Sequence, residues 1–184
     1  MKRIAAALLI ALSLPFSALG QGNQKPGAAA APKPLPGYKD EFSAGLDEVQ
    51  KKIMDLAAAI PAEKYSWRPG EGVRSIGEVY MHIAGGNYFL ATFLGVQPPA
   101  DMPKDIEKIT DKQKVLAELQ KSFDHLHAIA KTMTPADLEK PVTMFGNQTT
   151  ERGVYSTMLN HLHEHLGQSI AYARMNGIVP PWSK

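Results

Sequence analysis

Three of the chain's six histidines fall within five residues, His161-Leu-His163-Glu-His165. A neutral imidazole is a ligand for divalent cations, so the first question is which of these rings can share one ion. On a helix advancing about 100° per residue, His161 and His165 lie about 40° apart and one turn along, so both can reach a single cation from one face. His163 sits about 160° around the axis from each of them and is excluded from that ion. Two ligands make half a site, and the alternative is a polar patch on a histidine-rich helix. The candidate for a third ligand is His82, which stands beside the apolar positions Val79 and Ile83, where a bundle would turn it inward. Three imidazoles would hold Zn²⁺, Ni²⁺ or Fe²⁺ at about 2.0 to 2.1 Å and leave coordination positions open, which is the arrangement of catalytic sites. The alternative for His82 is a core-edge histidine satisfied by one hydrogen bond.

Other side chains near these positions have their own chemistry. Gln168, three residues beyond His165 and nearly in line with His161, could orient a ligand histidine, and Tyr172 on the same stripe could donate a hydrogen bond. Glu164 has the type of a general base but projects about 60° from His161, away from His165, which suits a solvated surface. Gly85-Gly86 costs its helix about 2 kcal/mol relative to two alanines, so it marks either room beside His82 or a kink. Trp67 reads as a plug for the end of a bundle. His125 and His127, two apart, cannot form a same-face pair and read as surface or core-edge residues.

Four helices would have to carry these groups. Phe42, Leu46, Val49, Ile53, Leu56 and Ile60 alternate steps of four and three and define a first helix stopped by Pro61. Ser75-Ile-Gly-Glu78 has the form of a capping box, and Ile76, Val79, Ile83, Leu90 and Leu94 continue a second helix to Gly95. Thr110-Asp-Lys-Gln113 is a second candidate capping box, opening a third helix to about Lys131. After a long connection with a short turn at Thr134-Pro135, the fourth runs from about Arg152 to Met175 and ends at Asn176-Gly177. No stretch of similar length alternates with period two, so the fold class expected is all-α, a four-helix bundle with long connections.

Lys2-Arg3, the apolar run Ile4 to Leu14 and the small residues Ala18 and Gly20 read as a Sec-type signal peptide over 1–20, too short for a membrane span. Residues 21–37, rich in Pro, Ala and Gly, read as a flexible linker, and 38–184 as one domain. The expected location is periplasmic or secreted, with no membrane association after cleavage. There is no cysteine, which excludes disulfides, thiolate ligands and a cysteine nucleophile. Without Lys2 and Arg3 the chain holds 18 basic against 18 acidic residues, a balance that argues against nucleic acid as a partner. The long apolar stripe of the first helix suggests a possible homodimer, although a monomer's own core needs the same stripe.

The segments Trp67 to Phe89, with its Trp-x-Pro turn and helix-two histidine, and His161 to Ser183, with H-x-x-x-H-x-G-Q and a Pro-rich tail, resemble the DinB-like four-helix-bundle superfamily, over nearly the whole mature domain. The resemblance implies a metal triad at His82, His161 and His165. Leu166 departs from the pattern, since many relatives carry a basic residue after the last histidine. Because the superfamily includes thiol transferases, the resemblance implies a metal-dependent hydrolase or thiol transferase acting on a small molecule. The competing functions are a non-catalytic metal-binding or stress-associated module, and a metal-free helical interaction protein.

Overall fold

The computed structural model describes residues 35–183. The expected signal peptide and residues 21–34 of the linker lie outside the described residues. The order of elements is α1 (Tyr38–Ala59), α2 (Ile76–Thr92), α3 (Lys112–Thr132), a hairpin of β1 (Pro141–Met144) and β2 (Asn147–Thr150), and α4 (Glu151–Met175), with short 3-10 turns in the connections. The fold is a four-helix bundle with one small two-stranded sheet, the all-α class expected. Within the described residues no helix is long and apolar enough to cross a membrane.

The stripe on α1 is buried along its length, from Phe42 to Ile60, against the core residues of the other helices. Each such side chain taken from water stabilises the fold by about 1.5 to 3 kcal/mol. This stripe is therefore consumed by the chain's own core, and Pro61 follows Ile60, the residue that caps α1. In the bundle, α1 packs against α3 and α4, and α2 packs against the same two. Helices α1 and α2 thus stand across one diagonal and α3 and α4 across the other, so the α1–α2 and α3–α4 connections must each cross the bundle.

Helix α2 starts where expected. The Ser75 hydroxyl accepts from the Glu78 amide at 3.3 Å, and the Glu78 carboxylate accepts from the Ser75 amide at 2.6 Å. Helix α3 starts one residue later than its Thr110 signal: Asp111 is the cap, its carboxylate accepting from the Lys114 amide at 3.0 Å. A carboxylate at this position also complements the positive end of the helix dipole. Beyond the end of helix α4, Gly177 follows the cap residue Asn176 at φ 74°, with Ile178 N–H donating to the Ala173 carbonyl at 2.9 Å.

The hairpin is the element that periodicity did not announce. Its strands pair antiparallel from Pro141 with Thr150 to Met144 with Asn147. The two turn residues, Phe145 and Gly146, have φ of 51° and 80°, the signs of a type I′ turn that matches the twist of paired strands. Phe145 is the one non-glycine residue with positive φ among the described residues. An L residue there is strained by roughly 1 to 2 kcal/mol. Thr150 ends β2 and Glu151 begins α4 with no residue between.

Candidate metal centre

Because α2 and α4 are direct neighbours, His82 faces the His161–His165 pair. Ring centroids are 4.5 Å apart for His161 and His165, 5.2 Å for His82 and His161, and 4.8 Å for His82 and His165. One nitrogen from each ring falls within 4.8 Å of the others, and the two Nε2 atoms of His82 and His161 are 3.4 Å apart. Two ligands of a tetrahedral ion at about 2.1 Å would be separated by about 3.4 Å.

The other ring nitrogens fix what the inner ones present. His82 Nδ1 lies 2.8 Å from a Glu107 carboxylate oxygen, which can only accept, so Nδ1 carries the proton and, in the neutral imidazole, Nε2 turns a lone pair inward. His165 Nδ1 donates to the Gln168 carbonyl oxygen at 2.8 Å with the same effect, and the Gln168 amide donates to the Tyr172 hydroxyl at 3.0 Å. Glu107 is itself held by the Arg74 guanidinium, 3.5 Å from both carboxylate oxygens. Burial works against the Glu107 carboxylate, but the His82 hydrogen bond and Arg74 outweigh it and keep it below the ordinary carboxylate range. Burial pushes His161 down to about 4, with the neighbouring His165 and His82 rings adding to it, and burial also lowers His165. Both rings are therefore neutral ligands rather than cations at pH 7. The buried Nδ1 of His161 has no hydrogen-bond partner among the described residues, so this ring is the least anchored of the three.

The glycine pair serves two different neighbours. A Cβ at Gly86 would collide with the His161 imidazole, reaching 3.0 Å from Nδ1 and from Nε2. At Gly85 a Cβ would meet only Ile106 at an ordinary 3.5 Å. Ile106 is buried and anchors the turn Ile106–Lys108 on α2, which places Glu107 against His82. The missing side chain at 86 thus makes room for a ring from a closely packed helix.

A cavity of about 360 Å³ opens beside the cluster. His82, His161 and Gly86 lie at one side, Phe89, Leu90 and Phe145 supply apolar walls, and Thr157, Asn160 and Glu164 supply polar ones. Glu164 is exposed, as its projection suggested, yet it is the one carboxylate lining this cavity among the described residues. Gln168 and Tyr172 do not line it. They stand behind His165, with Tyr172 buried and edge-on to Trp67 at a centroid distance of 5.5 Å. Trp67 thus packs at the back of the centre.

The remaining histidines stay apart from the cluster. His163 Nδ1 donates to the Leu159 carbonyl on the exposed side of α4, His125 packs edge-on against Tyr88, and His127 bonds Gln50 on α1. Leu166 is buried, so its side chain belongs to the core. Sequence spacing alone missed Glu107, which lies 25 residues from His82 in an irregular connection, and Phe145, whose hairpin lacks the Asn-Gly signal. Thr157 and Asn160 were findable, being four and one residues before His161 on the same helix.

Residues 45–169 match the DinB superfamily. This chain belongs to that superfamily. Similar solved structures include a DinB-like protein from Bacillus cereus, at TM-score 0.68 and 18% identity over 77% of this chain and 95% of that one. Another is a DinB-like protein, YjoA, from Bacillus subtilis, at TM-score 0.61 and 20% identity over 74% and 92%. A third is YfiT from Bacillus subtilis, described as "a probable metal-dependent hydrolase with an unusual four-helix bundle topology", at TM-score 0.62 and 19% identity over 80% and 94%. At these identities the likeness is one of fold. No curated protein matches this DinB chain.

Proposed function

We propose that this DinB protein holds one divalent cation, of the Zn²⁺, Ni²⁺ or Fe²⁺ type, on His82, His161 and His165, and hydrolyses a small carbonyl substrate outside the cytoplasm. The observation that carries the reading is the convergence of three imidazoles, two of them fixed in one tautomer by Glu107 and Gln168, at the side of a cavity. The 3.4 Å between Nε2 atoms fits two ligands of one such ion. A cation bound by three histidines supplies electrophilic polarisation of a carbonyl and acidification of water near neutral pH.

The protein's own groups have separable parts. Glu107 and Gln168 keep two rings with their lone pairs inward. Glu164, on the cavity wall, is placed to take a proton from an attacking nucleophile and return it to a leaving group. Asn160 and Thr157 offer hydrogen bonds to polar substrate atoms on the same wall. The description of YfiT as a probable metal-dependent hydrolase supports the reaction class. The signal-like segment over 1–20 supports export, which cell fractionation of the full chain would test.

The experiment is metal analysis of untagged protein, intact and with His161→Ala, followed by a panel of esters and amides. About one metal per chain in the intact protein, its loss in the variant and turnover that follows the metal are expected. Absence of stoichiometric metal overturns the reading, and metal without turnover on any substrate reduces it to a binding module.

A further inference from the structure

Two of the few large apolar side chains exposed in the described residues stand together at the mouth of the cavity: Phe89 is 52% exposed and Phe145 62%. Their rings are 6.1 Å apart, and Phe93 braces both, edge-on at 5.4 Å from Phe89 and at 5.3 Å from Phe145. Exposure alone would be unremarked, since single apolar residues on a surface are ordinary. The backbone of Phe145 is not. It occupies the left-handed region at φ 51°, at a turn position that favours asparagine or glycine. Strain held in an exposed aromatic residue, at a cavity that also contains three convergent histidines, is the kind of outlier that goes with binding.

The geometry points to Phe145 and Phe89 as a substrate-selecting clamp that takes a flat apolar group, an aryl or comparable substituent, next to the carbonyl presented to the histidine cluster. The cavity's lining is of two kinds: Phe89 and Leu90 from α2 and Phe145 from the hairpin tip are apolar, whereas Thr157, Asn160 and Glu164 from α4 are polar. An ester or amide with an apolar substituent on one side of its carbonyl matches that division, whereas a small wholly polar substrate leaves the aromatic wall in water. Aromatic faces prefer offset or edge-to-face partners, which the 6.1 Å separation and tilted planes of Phe89 and Phe145 leave accessible. The inference rests on reading the histidine cluster as the reacting centre, but its test does not need the metal.

In chelator-treated full-length protein, acetanilide and acetamide are titrated as probes and followed by NMR. Acetanilide is expected to shift the Phe89 and Phe145 ring resonances and to bind more tightly than acetamide. Phe145→Asn should weaken acetanilide by about three- to tenfold while leaving acetamide unchanged. The same substitution relieves the turn, so its thermal midpoint should be unchanged or higher, which separates lost binding from lost folding. Phe89→Ala should weaken the aryl probe to a similar degree. Equal binding of the two amides, or acetanilide affinity within twofold of the intact protein in both variants, overturns the clamp. Preserved aryl binding in a protein that takes up no metal would leave the clamp standing and remove the hydrolase reading instead.

Discussion

At the scale of single residues, the histidines differ in how firmly they are held. His82 is tied to Glu107 and through it to Arg74, and His165 to Gln168 and Tyr172, while the buried Nδ1 of His161 has no partner among the described residues. Hydrogen bonds of this type set the tautomer and ring orientation of a ligand, and their loss lowers metal affinity by about 10- to 100-fold. Glu107→Ala is therefore expected to weaken metal binding by about that factor, with little change in the helical content of the protein. Competition with a chromophoric chelator measures the first and circular dichroism the second; unaltered affinity would remove Glu107 from the centre. His161 and His165 were visible as a pair because helical geometry fixes the angle between positions four apart. Glu107 was not, because a contact between α2 and an irregular turn leaves no period to read. Glu164 shows the limit of angular projection: it correctly indicated exposure, but a helical wheel carries no information about a cavity formed with residues of other elements.

The elements explain how near two helices come. Gly86 lets the His161 ring lie against α2 where any side chain would collide with it. Gly86→Ala should therefore lower metal affinity by about tenfold or more, because the ring must leave the position that lets the three nitrogens converge. The metal-free variant should be as stable as the parent or more so, since alanine favours a helix by about 1 kcal/mol over glycine. Isothermal titration with Zn²⁺ and thermal melts of the chelated proteins check the two halves, and equal affinity in both proteins would show that the ring has room to spare. The helices were legible because each buries one stripe at helical spacing and carries recognisable ends, Ser75 and Gly177 among them. The hairpin was not, since its strands are four residues each and neither alternates enough apolar residues to signal a period of two. The start of α3 moved from Thr110 to Asp111 because both can cap, and only the local backbone decides between them.

For the whole molecule, the cluster joins α2 to α4 across positions 79 residues apart. An ion bound there favours the folded chain by mass action, by about 2.7 kcal/mol when free metal is a hundredfold above its dissociation constant. Chelation should lower the thermal midpoint of the intact protein by several degrees and leave His161→Ala unmoved, as scanning calorimetry would show. A midpoint indifferent to chelator in both proteins would argue that the cluster binds nothing. The all-α class and its four segments followed from the sequence because local periodicity reports on one helix at a time. The diagonal order of the helices did not, since it depends on which stripes face each other across long connections.

The direct passage from β2 into α4 links Phe145, on the cavity's lining, to the helix that carries His161 and His165. Phe145 sits at the tip of a two-stranded arm whose other end is the first turn of the helix bearing two of the three imidazoles. Exchanging the two tip residues alters what greets an incoming molecule while the strand register, and with it the rotation of the helix, stays put. Specificity in this scaffold can therefore drift at the tip without retuning the chemistry beneath it.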